Sequence, residues 1–300
     1  MVKQVTDRPT FHKGVLALII LNFIQALMGI FARVFSVEMA LLQQVALRMF
    51  AALLFSLLLF WKSLDFSKFK RVTGKEYGLI FVRSVLMYIT GISFISVAFI
   101  YGTFANVAFI LALPFTAMIG IVVLREKLTF KSALLLLLSF LGVLMLTVED
   151  FSEVTKFDIG SMFAFIGSGS VAFSNILRKR HSDLLNNAEI GTVVLFLATI
   201  ILFVLSFLMG DSYREVDWTL NLVWLIALAG FLNAVLVLVT NYGFNVVKPI
   251  IANNILATKA IFGLLIGVFI YQEPVGVRDI LGGVLILCSL FLFNRRASQE

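Results

Sequence analysis

Two basic side chains stand in stretches otherwise suited to hydrocarbon. Arg48 lies within LLQQVALRMFAALL and Lys259 within NNILATKAIFGLLIGV. A cation in such a run is costly unless it faces protein, water or a polar ligand. The chemistry each offers is capture of a carboxylate, a phosphate or another electron-rich group. The alternatives are a structural ion pair, for which Glu38 is the candidate partner of Arg48, a hydrogen-bond network, or a stem that snorkels to the surface. Gln44 precedes Arg48 by one helical turn and shares its face. Lys259, Gly263 and Gly267 recur at the same interval, and their G-x-x-x-G string permits a close helix approach. Arg83 enters its apolar stretch from one end, so it reads either as an anchor or as part of a mouth.

Amides and one phenol extend this set. Tyr88, Asn106, Asn253 and Asn254 fall inside apolar runs and either line a pathway or join helices, as do Asn22 and Gln25. Hydrogen bonds in membranes stabilise packing by roughly 0.6–2 kcal/mol, so a polar residue need not touch cargo. Pro114 interrupts a run and bends it, as a fixed kink or a gate. Pro249 opens a run, where its missing donor costs little. Glu126 and Glu273 close two similar runs and are candidate gate acids or caps of their own loops. Phe31, Phe94, Phe109 and Phe262 read as packing, with an aromatic path for cargo as the alternative.

Catalysis finds no support in these residues. Glu126 and Glu273 fall on opposite surfaces, His12 and His181 read as solvent-facing loop residues, and Cys288 as isolated packing. No nucleotide-binding loop, zinc spacing or disulfide framework is present. No catalytic residue, cofactor or metal is expected.

The elements that must position these side chains follow from composition. Sixty-one per cent of the 300 residues are hydrophobic and 14% charged, against about a quarter charged in soluble domains. A helix needs about 20 apolar residues to cross a bilayer, and ten stretches qualify: 14–32, 38–60, 77–97, 101–123, 131–148, 159–177, 188–209, 219–241, 249–270 and 279–293. The first is too long for the apolar core of a signal peptide. The tightest junctions are at 98–100 and 242–248. With the N-terminus inside, 17 of the 24 basic residues fall in cytoplasmic segments, 4 outside and 3 within spans. That asymmetry predicts ten transmembrane helices with both termini cytoplasmic, and it explains the +7 charge without nucleic acid.

A shift of 147 residues superposes Ala105–Asn106 on Ala252–Asn253, Ile119–Gly120 on Ile266–Gly267, Glu126 on Glu273, Lys131 on Arg278 and Leu134 on Leu281. The implied units, 14–148 and 159–294, each hold five spans and so enter the membrane with opposite orientation, which lets two halves rock about a central site. The strings LRMF at 47–50, VRS at 82–84, LREKLT at 124–129 and YQEPVG at 271–276, in this order across two halves, resemble the drug/metabolite transporter superfamily, in its EamA-like ten-span branch. The resemblance implies a carrier of small organic metabolites in a bacterial-type inner membrane, its cavity lined by the first four spans of each unit. Small-molecule cargo and membrane lipids are the implied partners, and an obligatory protein partner is not expected. The reading is an all-α secondary transporter working by alternating access, with a bias toward anionic groups; the alternative is a nontransporting membrane scaffold or receptor.

Overall fold

The computed structural model describes residues 8–102, 104–148, 158–272 and 274–297. Long apolar stretches leave the backbone no way to satisfy its polar groups in lipid except within helices. Among the described residues there is accordingly no strand. The first half comprises α1 (Arg8–Glu38), α2 (Leu41–Leu59), the short α3 (Phe66–Phe69) and α4 (Gly74–Ser84), which continues through π-helical Val85–Ser93 into α5 (Phe94–Tyr101). Next come α6 (Phe104–Ala112) and α7 (Phe115–Leu124), two limbs of one rod bent by 40° where Pro114 intervenes. The half closes with α8 (Phe130–Thr147). The second half comprises α9 (Ile159–Leu177), α10 (Asn187–Leu208), α11 (Leu220–Val246), the broken rod α12 (Pro249–Leu256) and α13 (Thr258–Tyr271), and α14 (Val277–Ala297).

Local chemistry sets these boundaries. Thr73, Thr129, Asp158, Asn186 and Thr219 each cap a helix by accepting a backbone N–H from its first turn, and Pro249 sits at the first position of α12. Two expected boundaries move. Residues 98–100 lie inside α5, which ends at Tyr101, and α11 runs on to Val246. Glu38 ends α1 instead of opening the next helix.

Eight helical stretches among the described residues are long and apolar enough to cross a membrane, and the bent α6–α7 rod makes nine. Their outer faces carry Leu58, Phe99, Val122, Phe207, Trp224 and Phe291, while Asn22, Gln44, Arg83, Asn233 and Asn241 are buried. Apolar outside and polar within is the distribution expected when lipid is the solvent.

The two halves pack as counterparts. α1 lies along α11 as α9 lies along α4 and α5, and α1 meets α12 and α13 as α9 meets α6 and α7. The pairs α2–α10 and α8–α14 unite equivalent members, and the equivalent bent rods α6–α7 and α12–α13 meet through α7 and α12. Arg125 and Gln272, the two non-glycine residues with positive φ among those described, both at 55°, stand at the 147-residue repeat interval and follow Gly120 and Gly267, whose carbonyls receive the cap N–H. At the α8–α14 crossing a Cβ on Gly142 would stand 2.7 Å from the carbonyl oxygen of Gly282, and the equivalent place is taken by Ser289 Oγ donating to Leu135 O at 2.6 Å.

Candidate functional site

One end of the bundle gathers the starts of α4, α10 and α12 and the finishes of α7, α9 and α11, and polar side chains lock it. Arg83 on α4 is buried; its Nε donates to Ser174 O on α9 at 3.0 Å and its Nη2 to Asn241 Oδ1 on α11 at 2.9 Å. Ser174 Oγ returns a bond to Arg83 O at 2.9 Å, and Asn241 Nδ2 donates to Asn187 O at 3.3 Å. Arg83 Nη1 lies 3.2 Å from His181 Nε2, and His181 Nδ1 lies 2.6 Å from Glu76 Oε1. An arginine only donates, so Nε2 accepts and the imidazole proton sits on Nδ1, shared with Glu76. Burial pushes the imidazole down to about 4; Arg83 adds to the effect and Glu76 opposes it.

Further contacts seal the same end. Arg178 Nε donates to Asn187 Oδ1 at 3.1 Å, Lys179 Nζ to Asn245 O at 3.3 Å, and Lys68 pairs with the fully buried Glu189 at 3.1 Å. Glu126 Oε2 accepts the N–H of Ile250 at 3.1 Å, tying the end of α7 to the start of α12. Burial raises its carboxyl above the ordinary range, against the pull of that N–H and of Lys179 and Lys248.

The opposite end does not repeat this closure. α7 packs against α12, yet among the described residues the equivalent contact, α6 on α13, is not comparably packed. The two bent rods, α6–α7 and α12–α13, therefore diverge toward this second end. Lys259 and Gly263 on α13 keep accessible surface, and a Cβ at Gly263 would meet nothing within 4 Å. Between the finish of α1, the start of α2 and the α10–α11 connection opens a cavity of about 570 Å³ lined by Ser36, Glu38, Gln43, Asp211 and Glu215. The equivalent place at the locked end is filled by the Arg178–Asn187 and Lys68–Glu189 contacts.

The expected pathway residues fall into three groups. Arg48 and Lys259 are cations lacking a counter-charge among the described residues. Arg48 is buried with its guanidinium 5.9 Å from the Phe35 ring; its Nε bonds Gln44 O at 3.2 Å, and no acid pairs with it among the described residues, Glu38 included. Gln44 Oε1 is buried without a donor. Lys259 has no hydrogen bond or ion pair among the described residues and keeps accessible surface. Its neighbour Thr258 accepts from Asn22 Nδ2 at 2.8 Å, and Asn22 Oδ1 is left without a donor. Phe35 and Asn22 are thus the α1 levels of the two cations, and they stand about 20 Å apart along the helix.

The second group joins helices. Asn253 Oδ1 accepts from Ala117 N at 3.4 Å across the α7–α12 contact, and Asn254 Oδ1 accepts from Ser289 at 2.9 Å. Asn106 is buried on α6, and Tyr88 belongs to a core with Val45, Met49 and Leu195. Arg83 and Glu126 form the third group, in the locked end. Glu273 lies outside the described residues.

Three expectations are corrected. His181 is a buried bridge instead of a solvent-facing loop residue, because the turn after α9 folds it against α4; His12 is exposed as expected. Cys288 is exposed on α14 instead of packed within. Gly263 faces open space, so the G-x-x-x-G string does not seat a helix there. Glu76, Asn187 and Asn241 had gone unread. The string RKRH at 178–181 signals a basic turn, but nothing local joins it to a glutamate 105 residues earlier.

A solved crystal structure, described only as that of a protein, matches 97% of this chain and 99% of its own with a TM-score of 0.76 at 10% identity, a likeness of fold alone. The model of the EamA-like transporter family matches twice, over residues 12–148 and 158–295. With one match in each half and nearly the whole length covered, the chain belongs to the EamA-like transporter family.

Proposed function

We propose that the chain is a secondary transporter moving a small organic metabolite across a bacterial-type inner membrane by alternating access. In this reading the ten helical rods all cross the bilayer, the units 14–148 and 159–294 are inverted relative to each other, and the locked end with both termini is cytoplasmic. The observation that carries it is the inequality of two equivalent ends, one bolted by Arg83, Asn241 and Asn187 and the other parted between α6 and α13. Two packings of one repeated unit are what a rocking carrier needs. A scaffold has no use for the difference.

The cargo carries a negative or electron-rich group. Arg48 and Lys259 lack counter-charges among the described residues, and their separation along α1 makes them successive stations on one path. Gln44, Tyr88, Asn106, Asn253 and Asn254 line or frame that path. Arg83, Glu126, Glu273 and the Pro114 bend serve opening and closing.

The test is transport by reconstituted Arg48→Gln and Lys259→Gln proteins of matched anionic and neutral compounds. A charge-assisted hydrogen bond contributes about 1.5–3 kcal/mol, so each variant should lose anionic transport roughly tenfold or more while keeping neutral transport. Unchanged charge preference in both variants would sink the anionic reading. Absence of any flux across a broad cargo screen would sink the carrier.

A further inference from the structure

We propose that His181 is a proton-operated latch of the locked end, holding Arg83 in place while neutral and releasing it when protonated. The inference rests on the carrier reading and names what controls its gate. The geometry is a relay: Glu76 Oε1 holds His181 Nδ1 at 2.6 Å, His181 Nε2 faces Arg83 Nη1 at 3.2 Å, and Arg83 Nη2 reaches Asn241 of α11 at 2.9 Å. Only the last contact ties α4 to α11. The imidazole acts on it indirectly, by fixing which way the guanidinium points, so His181 is a positioning residue.

Protonation at Nε2 turns the acceptor for Arg83 into a donor and sets two cations face to face. Glu76 already uses Oε1 for His181 and both carboxylate oxygens for the N–H of Ser182, so it compensates only in part. Facing His181 are Glu76 and Arg83 from α4 and Arg178 from its own turn, while α11 brings the neutral Asn241. Two cations against one carboxylate favour the uncharged ring.

The direction follows from linkage. The closed end holds the imidazole at about 4 against an ordinary 6.5, so closure is favoured at neutral pH and loses ground as pH falls from 6.5 toward 4. If opening returns the ring to its ordinary value, the open-to-closed ratio rises roughly thirtyfold between pH 7.5 and pH 5. Acidification of the locked side opens it.

The experiment places spin labels through Lys75→Cys and Asn245→Cys, at exposed positions on α4 and α11, in a Cys288→Ala background, and measures their distance distribution in lipid nanodiscs at pH 7.5 and pH 5. A longer-distance population that grows at pH 5 and is absent in the same protein carrying His181→Gln supports the latch. No pH dependence, or the same dependence in His181→Gln, overturns it. Should His181→Gln fail to fold, the native histidine is read directly. The chain has 2 histidines, so nitrogen NMR of a His12→Gln protein reports His181 alone. An Nδ1–H tautomer titrating well below 6.5 at the closed end supports the latch; an Nε2–H tautomer or an ordinary titration overturns it. Neither readout needs cargo, so a pH-blind gate in a transporting protein overturns the latch and leaves the carrier standing. A pH-sensitive gate in a protein that moves nothing supports the latch and counts against the carrier.

Discussion

Asn241 shows how much one neutral side chain can decide. It receives Arg83 through its oxygen and gives its amide N–H to Asn187 O, joining α4, α10 and α11. Asn241→Ala removes both bonds and leaves the buried Nη2 of Arg83 without a protein acceptor among the described residues. Each buried group left unsatisfied costs about 1–3 kcal/mol. We expect Asn241→Ala to lower the melting temperature in detergent and to raise deuterium exchange at the head of α10; unchanged exchange there would show that Asn241 is not part of the bolt. Arg48 and Lys259 were legible from sequence because a charge in an apolar run is anomalous along one dimension. The bolt was legible only at Arg83, because Glu76, Asn187 and Asn241 are ordinary where they stand and acquire meaning only when four helices converge. His181 was misread for the same reason: its position after RKR indicates a loop, and nothing nearby indicates that the loop turns inward.

The helices themselves were the most readable level. Apolar length located the eight or nine stretches among the described residues that are long and apolar enough to cross a membrane, and Pro114 marked the bend between α6 and α7. Boundaries moved where the deciding feature was a cap or a hydrogen bond instead of hydropathy, as at Gly102 and Val247. How closely helices approach was less readable, as adjacent glycines of α14 illustrate. A Cβ on Gly282 would stand 2.8 Å from Gly142 O, whereas one on Gly283 would meet nothing within 4 Å. Gly282→Ala should therefore push α14 off α8 and destabilise the protein by roughly 1–3 kcal/mol. Gly283→Ala should be neutral or slightly stabilising, since alanine favours helix by about 1 kcal/mol over glycine. Thermal unfolding of the two variants side by side checks this, and equal losses would refute the crossing.

For the molecule as a whole, the repeat interval was visible in a handful of polar coincidences, and the matched left-handed turns at Arg125 and Gln272 give it a structural counterpart. What a single chain cannot display in one dimension is that its equivalent halves are packed unequally. The solitary Lys259 gives that inequality an energetic meaning. On the alternating-access reading both ends must briefly shut between one open state and the other, and an ammonium with no protein partner among the described residues would then be sealed in a medium of low dielectric, at a cost of several kcal/mol. An anionic passenger neutralises it. The loaded protein should therefore cross that barrier readily while the empty one stalls, which is the behaviour of an obligate exchanger. We expect labelled anionic cargo to leave proteoliposomes at least tenfold faster when unlabelled cargo waits outside than when buffer does. In Lys259→Gln, where the empty transit strands no charge, the two rates should converge, turning an exchanger into a leak.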